Sequence, residues 1–295
     1  MKNITSKLEM IKEKVIAMKE KSPILLGVIL LVFSFLTTRG LHLIYDLTGV
    51  LDSDSHLELM IREFIYVGIV MLTLWATGQK HIFSRKIKGF FGSLWSGTVV
   101  LLATALTIIV DHLAATGEGM TRRSVPEIII FGVFLLAVGF AEEVLFRGII
   151  LGSINKKYGS TGIGALLSLV SSSIIFGCAH ISNVFAGQSL DETIVQVICT
   201  MFIGFVFGVI YLKRGNIFAV ALIHAVYDLA AMYLSGIYDA GSIISDVTPG
   251  GELPGLSEII IDNIFYLALG LILFIPCMIK LRKERKMQMT MAAAA

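Results

Sequence analysis

The chain has 295 residues, 56% of them hydrophobic and 16% charged, with a mean hydropathy of +0.84. That balance excludes a soluble globular domain and leaves an all-α polytopic membrane protein. The formal net charge of +2 says little by itself, because the charge is segregated loop by loop.

Residues 1–22 carry Lys2, Lys7, Lys12, Lys14, Lys19 and Lys21 among Ile4, Leu8, Ile11, Val15 and Met18 at helical spacing. This pattern predicts a basic amphipathic helix lying on the membrane surface. The first apolar run comes only after that polar helix and is long enough to span, so no cleavable signal peptide is expected. Eight apolar runs follow: Pro23–Leu43, Leu57–Thr77, Phe90–Ile109, Pro126–Ile150, Ile163–Val184, Ile194–Leu212, Ile217–Ile237 and Ile259–Ile279. Each approaches the roughly 20 residues that a membrane-spanning helix needs. The expected organisation is one eight-helix transmembrane domain over residues 23–281, with a basic tail and a disordered end over 282–295.

The loops alternate in charge. The N-terminus, the second loop (Lys80, Arg85, Lys86, Lys88), the fourth (Lys156, Lys157), the sixth (Lys213, Arg214) and the C-terminus are basic. The first loop has Asp46, Asp52 and Asp54, the fifth has Asp191 and Glu192, and the seventh has Asp239, Asp246 and Glu252. Only the third, with Arg122 and Arg123, blurs the pattern. The positive-inside rule puts both termini and the even loops in the cytoplasm, as an even span count requires. Short loops and no targeting signal fit a prokaryotic cell membrane. The Gly- and Asp-rich seventh loop is expected to be the mobile one. Gly204 and Gly208 form a GxxxG pair that predicts close helix packing.

Charge at membrane depth is the informative anomaly. Insertion scales put each charged residue near a span centre at roughly +2.5 to +3.5 kcal/mol. The fourth run nevertheless holds Glu142, Glu143 and Arg147. Helix neighbours point about 100° apart, so the two acids cannot face the same way. Glu143 and Arg147 are four apart in the favoured acid-first order and are expected to form a structural pair. Glu142 is then free to face something else. The fifth run ends with Phe176, His180 and Asn183, and Asn183 lies three residues from His180, close enough to orient it. The seventh run holds His224 and Asp228, four apart on one helix face. Counting from the fourth-loop tip at 1.5 Å per residue puts Glu142 and His180 within roughly 6 Å in depth. His224 and Asp228 would join them in the cytoplasmic half.

A carboxylate beside an imidazole can take a proton from a water, which then attacks a carbonyl, while nearby donors hold the oxyanion. A serine nucleophile among Ser171, Ser172 and Ser173 fits worse, because small residues are ordinary packing in membrane helices. Cys178 lies two residues from His180 and points elsewhere on a helix. It reads with Cys199 and Cys277 as a buried packing residue. Arg39, His42, Asp46, Arg62, Asp111 and His112 fall toward outer span ends, where snorkelling gives them a structural role. The same buried acids and imidazoles could instead form a proton relay in a transporter, or part of a non-catalytic immunity-type binder.

At these residues the sequence resembles the CPBP family, the CAAX-type and bacteriocin-processing intramembrane proteases also called the ABI family. EExxxR is met by Glu142, Glu143 and Arg147, FxxxH by Phe176 and His180, and HxxxN/D by His224 and Asp228. The resemblance covers Pro126 to Leu234. It implies an eight-helix bundle with a site open to the cytoplasm. It implies that Glu142 and His180 activate water while His224 and Asp228 stabilise the oxyanion. Many members carry Asn where this chain has Asp228, and an Asp must be neutral to donate, so the alternative roles for Asp228 are to orient His224 or to ligate a metal. No cofactor is expected. The alternative, from a family often labelled as metalloproteases, is zinc held by Glu142, His180 and His224, although the HExxH spacing is absent. The expected partners are a peptide or membrane-protein substrate and the lipid bilayer, with no nucleic acid.

Overall fold

The computed structural model describes residues 2–49, 55–84, 87–239 and 256–294. Asp52, Asp54, Arg85, Lys86, Asp246 and Glu252, and with them the expected mobile loop beyond Asp239, lie outside the described residues.

Helix α1 (Lys2–Lys21) leads through Ser22 into α2 (Pro23–Thr48), with Pro23 at the first helical position where its missing N–H costs nothing. Helix α3 (His56–Thr77) returns, capped by the Ser55 hydroxyl accepting from the Glu58 N–H. The third apolar run is not one rod but two, α4 (Ile87–Ser96) and α5 (Thr98–Gly117), broken at Gly97. Helix α6 (Val125–Glu142) starts at a Ser124/Glu127 capping box. Its rod continues as a wider, π-wound stretch, Glu143–Leu151, and ends in α7 (Gly152–Tyr158). Helix α8 (Gly162–Ala179) tightens into a 3-10 turn, His180–Ala186. Helix α9 (Leu190–Arg214) has a second capping box, at Ser189 and Glu192. Then come α10 (Ile217–Ala231), the short α11 (Tyr233–Ile237) and α12 (Leu256–Ala294).

Seven of these segments are long and apolar enough to cross a membrane, and the eighth expected span is the 15-residue α10. The difference from eight full spans is local: the helix breaks at Met232, and the residues that would have lengthened it form α11. Among the described residues there is no strand, only a bridge between Arg122 and Tyr238. Helix α12 stays helical to Ala294, where a disordered end was expected.

The rod from Val125 to Tyr158 is central. Helix α6 packs between α3 and α10, α8 packs against α9, and α9 packs against α12. The largest buried cluster gathers around the π-wound stretch, with Val144, Phe146, Ile149 and Ile150 against Leu26, Val70, Leu74 and Phe176. Helix α1 does more than float: Val15 joins that cluster, and Lys19 is buried and donates to the Thr77 carbonyl at 2.5 Å, closing the end of α3. That burial holds the Lys19 ammonium below its usual pKa. Leu8 and Ile11 on α1 remain about half exposed, at 47% and 51%.

Candidate active site

The site is set by how one rod is wound. In a π-wound turn the hydrogen bonds reach back five residues rather than four, and such turns recur at functional sites. The Gly152 N–H accordingly meets the Arg147 carbonyl. Wider winding leaves carbonyls to be satisfied from outside, as buried backbone polar groups must be. Ser172 on α8 donates to the Phe146 carbonyl at 3.1 Å, and Gln79 donates to the Ile149 carbonyl at 3.2 Å. Ser172 is thus occupied as a packing donor, and Cys178 does not line the cavity described below.

Glu143 opens this stretch and is fully buried. Its Oε1 lies 2.7 Å from Arg147 Nη1. The same oxygen accepts from His224 Nδ1 at 2.8 Å, a bond between residues 81 apart in the chain. Arg147 is 1% exposed, donates from Nη2 to the Gly204 carbonyl at 3.3 Å, and lays its guanidinium 4.1 Å from the Phe176 ring centroid. Gly204 is required here: a Cβ would sit 2.7 Å from Phe176 Cδ1 and 3.2 Å from Arg147 Nη2. Gly139 does the same for α10, where a Cβ would meet the Ala221 carbonyl oxygen at 2.6 Å. These two glycines let α9 and α10 approach the rod closely enough for the bonds to form.

The other nitrogen of His224 faces the opposite way. Its Nε2 is 3.6 Å from Glu142 Oε2 and 3.5 Å from Asp228 Oδ2. With Nδ1 bonded to Glu143, a protonated ring would present hydrogens to carboxyl groups on both sides. Glu142 is 23% exposed at its side chain and Asp228 16%, so this face is open where the Glu143 face is closed.

Glu142 and His180 line one cavity of about 190 Å3, together with Glu63, Tyr66 and Asn183. His180 Nδ1 lies 3.2 Å from the Phe176 carbonyl; a carbonyl only accepts, so Nδ1 carries the hydrogen and Nε2 keeps a lone pair. Phe176 packs edge-on against both His180 and His224, with centroids 5.3 Å and 5.8 Å away. Asn183, expected to orient His180, instead donates to Gln196 at 2.7 Å, and its carbonyl oxygen faces Ser182. The 3-10 turn stacks position 183 over 180, yet the Asn183 amide turns to Gln196 on α9 and orientation of the imidazole falls to a backbone carbonyl.

The outer span ends hold the structural polar groups. Arg62 pairs with Glu58 at 3.3 Å, and His112 Nδ1 lies 2.7 Å from the Tyr238 hydroxyl. Ser172 reads in the sequence as ordinary packing, without its bond to the Phe146 carbonyl. Two residues of the site escaped the sequence reading. Gln79 gave no signal, since a helix's winding is not written in its hydrophobic period. Glu63 did give one, an acid seven residues into an apolar run, hidden beside Arg62.

A zinc ion would need Glu142, His180 and His224 as ligands. Among the described residues no group of three or more His, Cys, Asp or Glu is placed to hold a metal ion. His224 bonds Glu143 through Nδ1, as a ligating histidine also does with a supporting carboxylate, and its Nε2 faces two carboxyl groups. The mismatch is one of position: the three donors do not gather around one point.

A polytopic helical bundle with acids and imidazoles from separate spans gathered around one cavity belongs to the class of intramembrane hydrolases and transporters. Residues 124–230 match the model of the Rce1-like family, described as type II CAAX prenyl endopeptidase Rce1-like. The motif-bearing core, roughly a third of the chain, is thus similar to the CAAX-type membrane endopeptidases, consistent with the CPBP resemblance. Neither among curated proteins nor among solved structures does any match this chain.

Proposed function

We propose that this protein is an intramembrane endopeptidase of the glutamic type, which hydrolyses a peptide bond in a membrane-bound or lipid-adjacent substrate. The observation that carries the reading is the split of two adjacent acids. Glu143 is consumed by Arg147 and His224, while Glu142 is left facing a cavity that it shares with His180. Glu142 and the free Nε2 of His180 take a proton from a water, and the water oxygen attacks the peptide carbonyl carbon. His224 donates from Nε2 to the oxyanion that forms, held in place by Glu143 at Nδ1, and Asp228 donates beside it when neutral. Collapse breaks the C–N bond, and the proton first taken from water passes to the leaving amine. Both termini and the even loops face the cytoplasm in this reading, so the substrate enters from that side. Maturation of a peptide or of a membrane-protein anchor fits such a site.

The test is cleavage of reporter peptides by purified protein. Glu142→Gln and His180→Ala should each lower cleavage by at least about 100-fold while thermal unfolding stays near wild type. Full activity in either folded variant would end this reading. Cleavage that persists through exhaustive chelation, in protein free of metal by elemental analysis, separates it from the zinc version. Ion flux in liposomes without peptidase activity would favour a transporter, and a biological effect that survives Glu142→Gln would favour a binding protein.

A further inference from the structure

The cavity wall opposite His180 and Glu142 comes from α2 and α3, and it holds an acid that the reaction above does not use. Glu63 Oε1 is buried and has no hydrogen-bond partner. Its neighbours are largely committed. Ser34 Oγ and the Tyr66 hydroxyl bond to each other at 2.5 Å, which leaves one of the two hydroxyl hydrogens free. Thr38 Oγ1 donates to the Ser34 and Phe35 carbonyls at 3.1 Å, and Ser182 Oγ to the Ala179 carbonyl at 2.9 Å. Asn183 gives one of its two amide hydrogens to Gln196, and His180 its Nδ1 hydrogen to Phe176. No Lys or Arg lines the cavity: Arg62, beside Glu63 on α3, pairs with Glu58 at 3.3 Å, and Arg147 is engaged by Glu143, by the Gly204 carbonyl and by the Phe176 ring.

What faces inward is richer in acceptors than in donors: two carboxyl groups and the Nε2 of an imidazole against one free hydroxyl hydrogen and the second amide hydrogen of Asn183. An excess of acceptors at membrane depth, with no cation among them, calls for a ligand that brings hydrogens and positive charge. The volume, about 190 Å3, is below that of a pocket for a whole small molecule and suits one side chain.

We propose that Glu63 is a specificity-determining residue that receives the ammonium or guanidinium of a basic side chain near the scissile bond. The substrate then bears a Lys or Arg within reach of this wall of the cavity. This rests on the peptidase reading for the word substrate, but its test does not depend on cleavage.

Binding is measured on the full chain in nanodiscs in the Glu142→Gln background, which holds peptide without cutting it. The probes are fluorescein-labelled Leu/Ala peptides in which one Lys is walked along the sequence, with matched Arg, norleucine and Glu versions. At one position Lys and Arg should bind at least about 10-fold tighter than norleucine, and Glu weakest. Adding Glu63→Gln should shrink the Lys-to-norleucine ratio below about 3-fold, while Glu63→Asp should keep part of it. Equal binding of Lys and norleucine peptides everywhere, no saturable binding of any basic peptide, or a preference that survives Glu63→Gln would overturn the proposal. Lack of cleavage by the wild-type protein would instead end the peptidase reading and leave the binding preference standing.

Discussion

Two faces of one rod, built from adjacent residues, have opposite characters. On the Glu143 face the opposite charges are paired: Arg147, His224, the Gly204 carbonyl and the Phe176 ring close around Glu143 with almost no exposure, although its Oε2 makes no hydrogen bond of its own. On the Glu142 face an acid, an imidazole lone pair and Glu63 line a cavity with no permanent cation. The closed face resembles a protein core that happens to be ionic. The open face is where a buried polar group is left unmatched, which a fold tolerates when a ligand or a reaction completes it. The lesson is that the most strongly bonded acid in such a motif is the poorest candidate for chemistry.

Breaking the closed face should unfold the protein, whereas breaking the open face should only silence it. The largest effect is expected from Arg147→Met, which leaves Glu143 buried without its cation. Removing one partner of a buried pair costs about 3–5 kcal/mol, and thermal unfolding in detergent should fall accordingly. Glu142→Gln should leave that melting curve almost unmoved, and the gap between the two variants is the comparison in its sharpest form.

A smaller effect is expected from Gly204→Ala. The new methyl would press on Phe176 and on the Arg147 guanidinium, at an overpacking cost of about 1–3 kcal/mol. Activity should drop with it, since Phe176 touches both histidines. Smallest should be Asn183→Ala, which removes one side-chain bond to Gln196 worth about 1 kcal/mol. Its cleavage rate should stay within a few-fold of wild type; a loss comparable to that of His180→Ala would show that the imidazole depends on Asn183 after all.

Much of this was legible in the sequence, and the reasons differ by residue. The spans follow from apolar run length, and α10 falls short only because its last residues bend away after Met232. The approach of Glu143 to Arg147 follows from spacing of four. The meeting of Glu142 with His224 came from depth counting across three helices, which distances of 3.6 Å now replace. The Glu143–His224 bond could not be read, because it depends on how far α6 and α10 approach, and that is set by Gly139 against Ala221. Nor could the orientation of His180, which rests on a backbone carbonyl exposed by a change of helix type.

The winding of Glu143–Leu151 has a last consequence, for insertions and deletions. A stretch closed by five-residue loops carries one residue more than an ordinary helix would need to connect the same two ends. Losing a single codon there would relax the backbone into ordinary α-winding and leave the flanking rods in place, yet turn the side chains between the lesion and the end of the wide stretch by up to about a hundred degrees. The membrane span would survive intact in length and greasiness. Its guanidinium, however, would no longer point at its acid, so a change invisible to any hydropathy plot would dismantle the centre of the molecule.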